Sequence, residues 1–415
     1  MKLTKIGQGF LVAAASLGLG LGITSCSPSD TIDYLFVTSN SPQGQIASYH
    51  VDSFSGALSE VSGSPFSSGG DNPVAEVASP NGRYLYVANH DSNNVSELVI
   101  GTNGNLVAGN NYTTAGSEPV SLAINPAGTL LFVLDYYGPG FSDTTPGPGI
   151  LIVYPINSDG SLGSPVTNGS SPYSGLQCFP TGVVVSPNGD FVYATNTNSV
   201  IVTTATPSTT PATPASCPTQ GTISGFSIAS GGALSPLAGS PYLAGSTPTG
   251  VAIDPTSRFL YATDSAQNQL IVYTILSTGE LISQNSGPFT TGTFPVAVVV
   301  DPRDKYLYVT NYNGATISEY SISQANGVPS AGAASAISTG APGPTCLLVD
   351  PALGRYVYTS DYIGSYIGGT VLNPNTGGLS TTQGAPYPAV GKPTCVAAVP
   401  HGNHATQFVS PTAGQ

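Results

Sequence analysis

The chain has 415 residues, and only 7% of them are charged, far below the roughly 25% of an ordinary soluble domain. Eight Lys/Arg stand against 21 Asp/Glu, a formal net charge of −13, so there is no basic patch to neutralise phosphates, and nucleic acid and anionic lipid surfaces are excluded as charge partners. Hydrophobic residues make up 40% of the chain and come in regular runs, which excludes disorder as the general state.

Residues 1–25 read as a leader. Lys2 and Lys5 form its positive end, and F-L-V-A-A-A-S-L-G-L-G-L-G-I (10–23) its apolar core. That run is short for a membrane-spanning helix, which needs about 20 residues. It ends in I-T-S-C, Ile23 to Cys26. This resembles the lipobox of bacterial lipoproteins, in which the Cys becomes a lipid-modified N-terminus that anchors by burying acyl CH₂ groups. An ordinary secretory signal with an incidental Cys is the alternative. The resemblance implies a membrane partner through lipidated Cys26 and, with Ser27 rather than Asp following it, the outer membrane. Residues 26–33 are then a tether.

From Tyr34 the chain repeats itself. P-V-A-V-V-V-D-P-R-D-K-Y-L-Y-V-T-N (295–311) is the template, and related lines begin at Pro73, Pro119, Pro180, Pro248, Pro344 and Pro393. Each predicts an apolar first strand, a turn at a second Pro, and a second strand ending in Asn or Asp. An alternating third strand and a short fourth follow. The first strand is apolar nearly throughout, so both its faces are expected to be buried. Repeats of 40–50 residues with four strands indicate propeller blades. Second strands recur at 34–40, 84–89, 130–135, 191–196, 259–264, 306–311 and 356–361, which predicts seven. The first unit lacks its own first strand, and P-T-C-V-A-A-V (393–399) supplies it from the other end. The fold class is therefore all-β. It is a seven-bladed β-propeller over 34–400, with four antiparallel strands per blade and the C-terminal strand completing blade one; 401–415 is a tail. A monomer is expected.

This repeat, with its L-Y-V-T-N core, is similar to the YVTN-type propellers, and in particular to the lactonase family of seven-bladed propellers, named for 6-phosphogluconolactonase of the cycloisomerase-2 type. The resemblance covers 34–400. It is specific for fold and weak for activity, because unrelated roles share the repeat.

Strand order predicts two faces. The opening prolines and the terminal Asn/Asp share the top, and the P-N-G turns (80–82, 187–189) share the bottom. The top ring reads Asn40, Asn89, Asp135, Asn196, Asp264, Asn311 and Asp361. It is either a polar ring round the channel mouth, able to take a cation or polyol, or a set of side chains capping their own turns. Two insertions, 136–149 and 197–220, follow it in neighbouring blades and should wall one side of the mouth. Tyr136, Tyr137, Phe141, Tyr312, Tyr362 and Tyr366 gather beside them, and His90 fills the same slot in its blade. These residues can stack on a flat ligand or pack the loops down. The Thr/Pro run 203–214 reads as an extended spacer.

Besides Cys26 there are four cysteines, an even number in an exported chain. Cys178 with Cys217 would tie the second insertion to the rim. Cys346 and Cys395 occupy the same P-T-C place in neighbouring inner strands, and would bridge if those strands approach closely enough. No His lies near a Cys in sequence, so no metal site is read, and no cofactor is implied.

The lactonase resemblance implies hydrolysis of a sugar lactone by His, Glu and Arg residues at the starts of inner strands. Here the matching stretches, C-F-P-T-G-V-V-V-S-P (178–187) and T-P-T-G-V-A-I-D-P (247–255), hold neither His nor Arg. Arg83, Arg258, Arg303 and Arg355 fall in bottom-face turns, which makes a phosphorylated lactone a poor substrate. The first expectation is a binding scaffold whose top face takes a glycan, small molecule or protein. The alternative is a hydrolase of an uncharged lactone or similar ester using either the Asp residues of the ring or Glu118, which precedes Pro119 at the top of an inner strand. A quinoprotein-type redox role finds neither Trp nor an attachment motif.

Overall fold

The computed structural model describes residues 30–404, apart from 42, 168, 170, 172, 198–216, 285 and 332–335. The leader, Cys26, the Thr/Pro spacer and residues 405–415 lie outside it. Among the described residues everything regular is strand except one 3₁₀ turn, Gly402–His404, and no helix is long and apolar enough to cross a membrane. Seven antiparallel sheets follow one another. Each blade begins at the channel, as with Pro295–Val300, and proceeds outward through Tyr306–Asn311 and Thr316–Ile322. Blade one is assembled from both ends of the chain: Lys392–Pro400 pairs with Thr31–Asn40, placing Val37 opposite Val396. No open edge remains at the join.

The strand buried on both faces is the second, not the first. Tyr84–Asn89, Phe191–Asn196, Phe259–Asp264, Tyr306–Asn311 and Tyr356–Asp361 are buried at every residue, whereas the first strand leaves one side on the channel. The packing explains it. In blade two, Leu85 and Val87 pack into blade one, while Tyr84, Tyr86 and Ala88 pack into blade three. A strand clamped between two neighbouring sheets needs apolar side chains on both faces, and so loses the alternation of a half-exposed strand.

The two tyrosines of Y-L-Y-V, or aromatic residues in their place, lock most blades to the next. The first ring lies under the glycine that turns the next blade's third strand into its fourth. At Gly377, with φ +75°, a Cβ would stand 2.2 Å from the Tyr306 ring. The second tyrosine donates its hydroxyl to the same glycine's carbonyl: Tyr308 to Gly377 (2.7 Å), Tyr86 to Gly160 (2.6 Å), Tyr193 to Gly279 (2.6 Å) and Tyr261 to Gly327 (2.9 Å). Tyr358 donates to Gly56 of blade one (2.7 Å), carrying the clamp across the closure. Blade one has Phe36 instead, and Ser48 Oγ bonds Gly104 O (2.7 Å). Blade three has Leu130 and Phe132, so no tyrosine hydroxyl reaches Gly232 of blade four.

At the channel, threonines perform a second interlock. Thr181 Oγ1 donates to Pro248 O (3.0 Å), Thr249 to Pro295 O (2.9 Å), Thr345 to Thr394 O (2.9 Å) and Thr394 to Pro73 O (2.7 Å). Two disulfides complete the frame. Cys178–Cys217 joins the outer strand of blade three to the second insertion, and Cys346–Cys395, with Cα atoms 4.9 Å apart, joins blade seven to the closing strand.

Candidate functional site

The top-face Asn/Asp ring turns away from the channel. Asn89, Asp135, Asn196, Asp264, Asn311 and Asp361 are all fully buried, packed within their own blades. Asn89, Asn196 and Asn311 donate to Ser96, Ser224 and Ser318 of their third strands, at 2.8, 3.1 and 2.9 Å. The third strands of blades three, five and seven present Ile152, Ile271 and Gly368 at that place, and there the ring residue is Asp. Asp135 accepts the Gly116 N–H (2.8 Å), and Asp264 accepts those of Ser246 (2.8 Å) and Thr247 (3.1 Å). Asp135, Asp264 and Asp361 are thereby out of reach of a ligand in the mouth, and they do not converge with Glu118.

Blade one corrects the ring by a residue. Elsewhere the opening Pro faces the Asn/Asp, as Pro295 faces Asn311. In blade one, with the same register shift as the other blades, Pro393 faces Ser39. Ser39 is fully buried in the ring position, and Asn40 takes the next place outward, where it lines the mouth.

Two other positions per blade lie beside the ring, and from them Asn40, Asn72, Phe294, Tyr312 and Tyr362 line the mouth. One is the residue before the opening Pro: Asn72, Glu118, Phe179, Thr247, Phe294, Gly343 and Lys392. Asn72, Glu118, Phe179 and Phe294 have φ between 52° and 59°, a left-handed conformation unusual for residues with a Cβ and disfavoured before proline. Neighbouring blades hold it: Asn93 Oδ1 accepts the Glu118 N–H and Asn268 Oδ1 the Phe294 N–H, both at 2.7 Å. The other is the residue after the ring position: Asn40, His90, Tyr136, Thr197, Ser265, Tyr312 and Tyr362.

These positions make a mouth of two unlike halves. On blades six and seven, a cavity of about 460 Å³ is walled by Phe294, Tyr312 and Tyr362. The Phe294 and Tyr312 rings are 6.1 Å apart, and the Lys392 ammonium sits 5.0 Å from the Tyr362 ring centre. Its floor, formed by Val74, Thr249 and Val296, continues down the channel. On blades two and three stands a polar string. Asn72 Nδ2 donates to Asp91 Oδ1 (3.1 Å), Asp91 pairs with His90 Nδ1 (2.6 Å), and His90 Nε2 faces Glu118 Oε2 at 3.6 Å. Asn72, which lines the cavity, joins the halves. Burial raises the Glu118 carboxyl above its usual range; His90 opposes this, and Asp143 and Asp91 reinforce it. Burial, then the charges of Glu118 and Asp143, push the neighbouring Tyr136 phenol up.

Tyr137 and Phe141 serve the first insertion. Tyr137 is buried against Cys178, Phe179 and Cys217 and donates to Asp143 Oδ1 (3.2 Å). Phe141 is 41% exposed, and its ring covers Gly147, where a Cβ would lie 2.2 Å from it. Tyr366 opens the third strand of blade seven, opposite Pro388, away from the mouth. The arginines stay at the bottom turns, where Arg303 pairs with Asp301 (2.8 Å) and Arg258 with Asp304 (3.1 Å). Among the described residues no group of three or more His, Cys, Asp or Glu could hold a metal ion. Asn72, Asp91, Phe294 and Lys392 were not legible as site residues; the signal for three of them is their place directly before an opening Pro.

The sequence profile described as "Lactonase, 7-bladed beta-propeller" matches residues 37–196 and 220–349, more than half of the chain. No curated protein sequence matches. Solved structures do. A candidate 6-phosphogluconolactonase from Bacteroides uniformis ATCC 8492 superposes with a TM-score of 0.69 at 18% identity, covering 89% of this chain and 100% of its own. A second, from Bacteroides fragilis NCTC 9343, gives 0.68 at 19% identity, covering 90% and 99%. The periplasmic gluconolactonase PpgL of Pseudomonas aeruginosa gives 0.67 at 18%, covering 89% and 99%. At these identities the likeness is one of fold. By its profile match and its seven closed blades, the chain belongs to the lactonase family of seven-bladed β-propellers.

Proposed function

We propose that the mouth of the channel binds a small, uncharged, ring-shaped ligand of the lactone type. The observation that carries this is the cavity of about 460 Å³ walled by Phe294, Tyr312 and Tyr362, since aromatic walls with a few polar groups at the rim suit flat rings. Phosphorylated lactones fit poorly, because the arginines that could pair with phosphate sit on the opposite face. The protein works outside the cytoplasm, anchored to the outer membrane through Cys26. Its leader and its two disulfides support this, disulfides being stable in oxidising compartments.

Hydrolysis is the second reading, and the His90–Glu118 pair favours it. Asp91 holds the Nδ1 side of His90, so Nε2, on the Glu118 side, would take a proton from water as the water oxygen bonds the lactone carbonyl carbon. Glu118, facing His90 Nε2 at 3.6 Å, would pass that proton on to the ring oxygen as the C–O bond breaks.

The test is a panel of neutral and phosphorylated lactones, assayed for turnover and for binding on the purified protein. Turnover of a neutral lactone that Glu118→Gln abolishes would establish the hydrolase. Saturable binding without turnover, lost on Tyr312→Ala, would leave a binding protein. The absence of both would overturn the site.

A further inference from the structure

The floor of the cavity has spent its hydroxyl protons on the fold. The hydroxyls of Thr249, Thr345 and Thr394 each donate to a backbone carbonyl of a neighbouring first strand, at 2.7–2.9 Å. Val74 and Val296, beside them, have none to offer, and the Asn72 amide nitrogen is held by Asp91. The floor thus presents methyl groups, and the wall presents the rings of Phe294 and Tyr312. Polar capacity lies along the rim, in the phenols of Tyr312 and Tyr362, the amides of Asn40 and Asn72 and the Lys392 ammonium. Blade one, which carries Lys392 and Asn40, separates the aromatic blades six and seven from the His90–Glu118 string of blades two and three.

A densely hydroxylated sugar ring seated here would bury hydroxyls against methyls with no partner, which weakens binding for each one left unpaired. A planar, mostly apolar ring would lose nothing on that floor and would stack on the wall. We propose that the site selects a lactone fused to an aromatic ring. The ring lies against Phe294, Tyr312 and Tyr362, and the ester edge turns toward Lys392, Asn40 and the His90–Glu118 string. This rests on the reading of the mouth as the ligand site, and it narrows the ligand from lactones in general to the aryl-lactone class. Lys392 then meets the ester carbonyl, or the carboxylate formed if the ring opens, as the one cation on the top face among the described residues.

The experiment uses lactams, which keep the shape and carbonyl of the lactones but do not hydrolyse. The full chain is titrated with 3,4-dihydroquinolin-2-one, the lactam of dihydrocoumarin, and with glucono-δ-lactam, by calorimetry. The aryl lactam should bind at least about tenfold more tightly. Tyr312→Ala should remove that binding, while Tyr312→Phe, which keeps the ring, should retain most of it and serve as the folding control. Tighter binding of glucono-δ-lactam, still sensitive to Tyr312→Ala, would overturn the aryl preference and leave the mouth as the site. Binding of neither, or binding indifferent to both Tyr312→Ala and Tyr362→Ala, would overturn the preference and the site together.

Discussion

Asp361 shows how one residue type answers to its neighbours. Three blades place Asn at the end of the second strand because a serine two residues into the third strand accepts its amide hydrogen. Blade seven offers Gly368 there, and Asp361 gains no backbone N–H in exchange. Burial therefore pushes its carboxyl from the ordinary 3.8 up to about 8, with the hydroxyls of Thr359 and Thr339 opposing. Asp135 is pushed up to about 7 by burial, against the Gly116 N–H and Thr114. A carboxyl whose folded pKa is raised favours folding while it is protonated. That stability is complete below the ordinary carboxyl value and is lost as pH climbs through the folded one. The fold should therefore weaken between about pH 4 and pH 8. Asp361→Asn, neutral at every pH, should flatten that slope and raise the urea midpoint at pH 8 relative to the parent. An unchanged slope across pH 5–9 would contradict the assignment.

At the scale of the element, the second strand explains why some of this was legible and some was not. Its spacing, its seven recurrences and the displaced final strand are local or periodic features, so the blade count and the ring closure could be read from residues alone. The direction of its side chains could not. A strand buried on both faces carries no alternation, so nothing in Y-L-Y-V-T-N tells which way Asn311 points. The partner of Tyr308, Gly377, lies 69 residues on in another blade. Every blade carries the same register shift beside its opening Pro, so what sets blade one apart is its sequence: aligned on Y-L-Y-V-T-N (306–311), Y-L-F-V-T-S (34–39) puts Ser39 in the ring position and Asn40 in the mouth. The same strand yields a second prediction. Tyr308→Phe leaves the buried Gly377 carbonyl without its donor and should cost about 1–3 kcal/mol in equilibrium unfolding. Phe132→Tyr in blade three supplies the hydroxyl missing opposite Gly232, and should gain about 1 kcal/mol. If Phe132→Tyr destabilises while Tyr308→Phe is neutral, the clamp is not what couples the blades.

At the scale of the whole molecule, stability depends on keeping the circle shut, and blade one is where it can open. Its innermost strand arrives from residues 392–400, and its neighbours hold that strand in three ways. Thr394 donates to Pro73 O of blade two at 2.7 Å. Thr345 of blade seven donates to Thr394 O at 2.9 Å. Cys346–Cys395 ties the strand to blade seven across a sequence separation of 49. The first two are single hydrogen bonds, each worth about 1 kcal/mol net. A disulfide closing a loop of this size contributes about 2–4 kcal/mol, mainly by restricting the unfolded chain. The covalent tie should thus dominate the closure. Replacing both cysteines, Cys346→Ser with Cys395→Ser, should lower unfolding stability by about that amount and raise hydrogen exchange first in Thr31–Asn40 and Lys392–Pro400. Cys178–Cys217 fastens an insertion rather than the circle, so the Cys178→Ser, Cys217→Ser pair should leave exchange in blade one unaltered. Equal loosening of blade one by both pairs would mean that closure is carried by the ring as a whole and not by the strand that completes it.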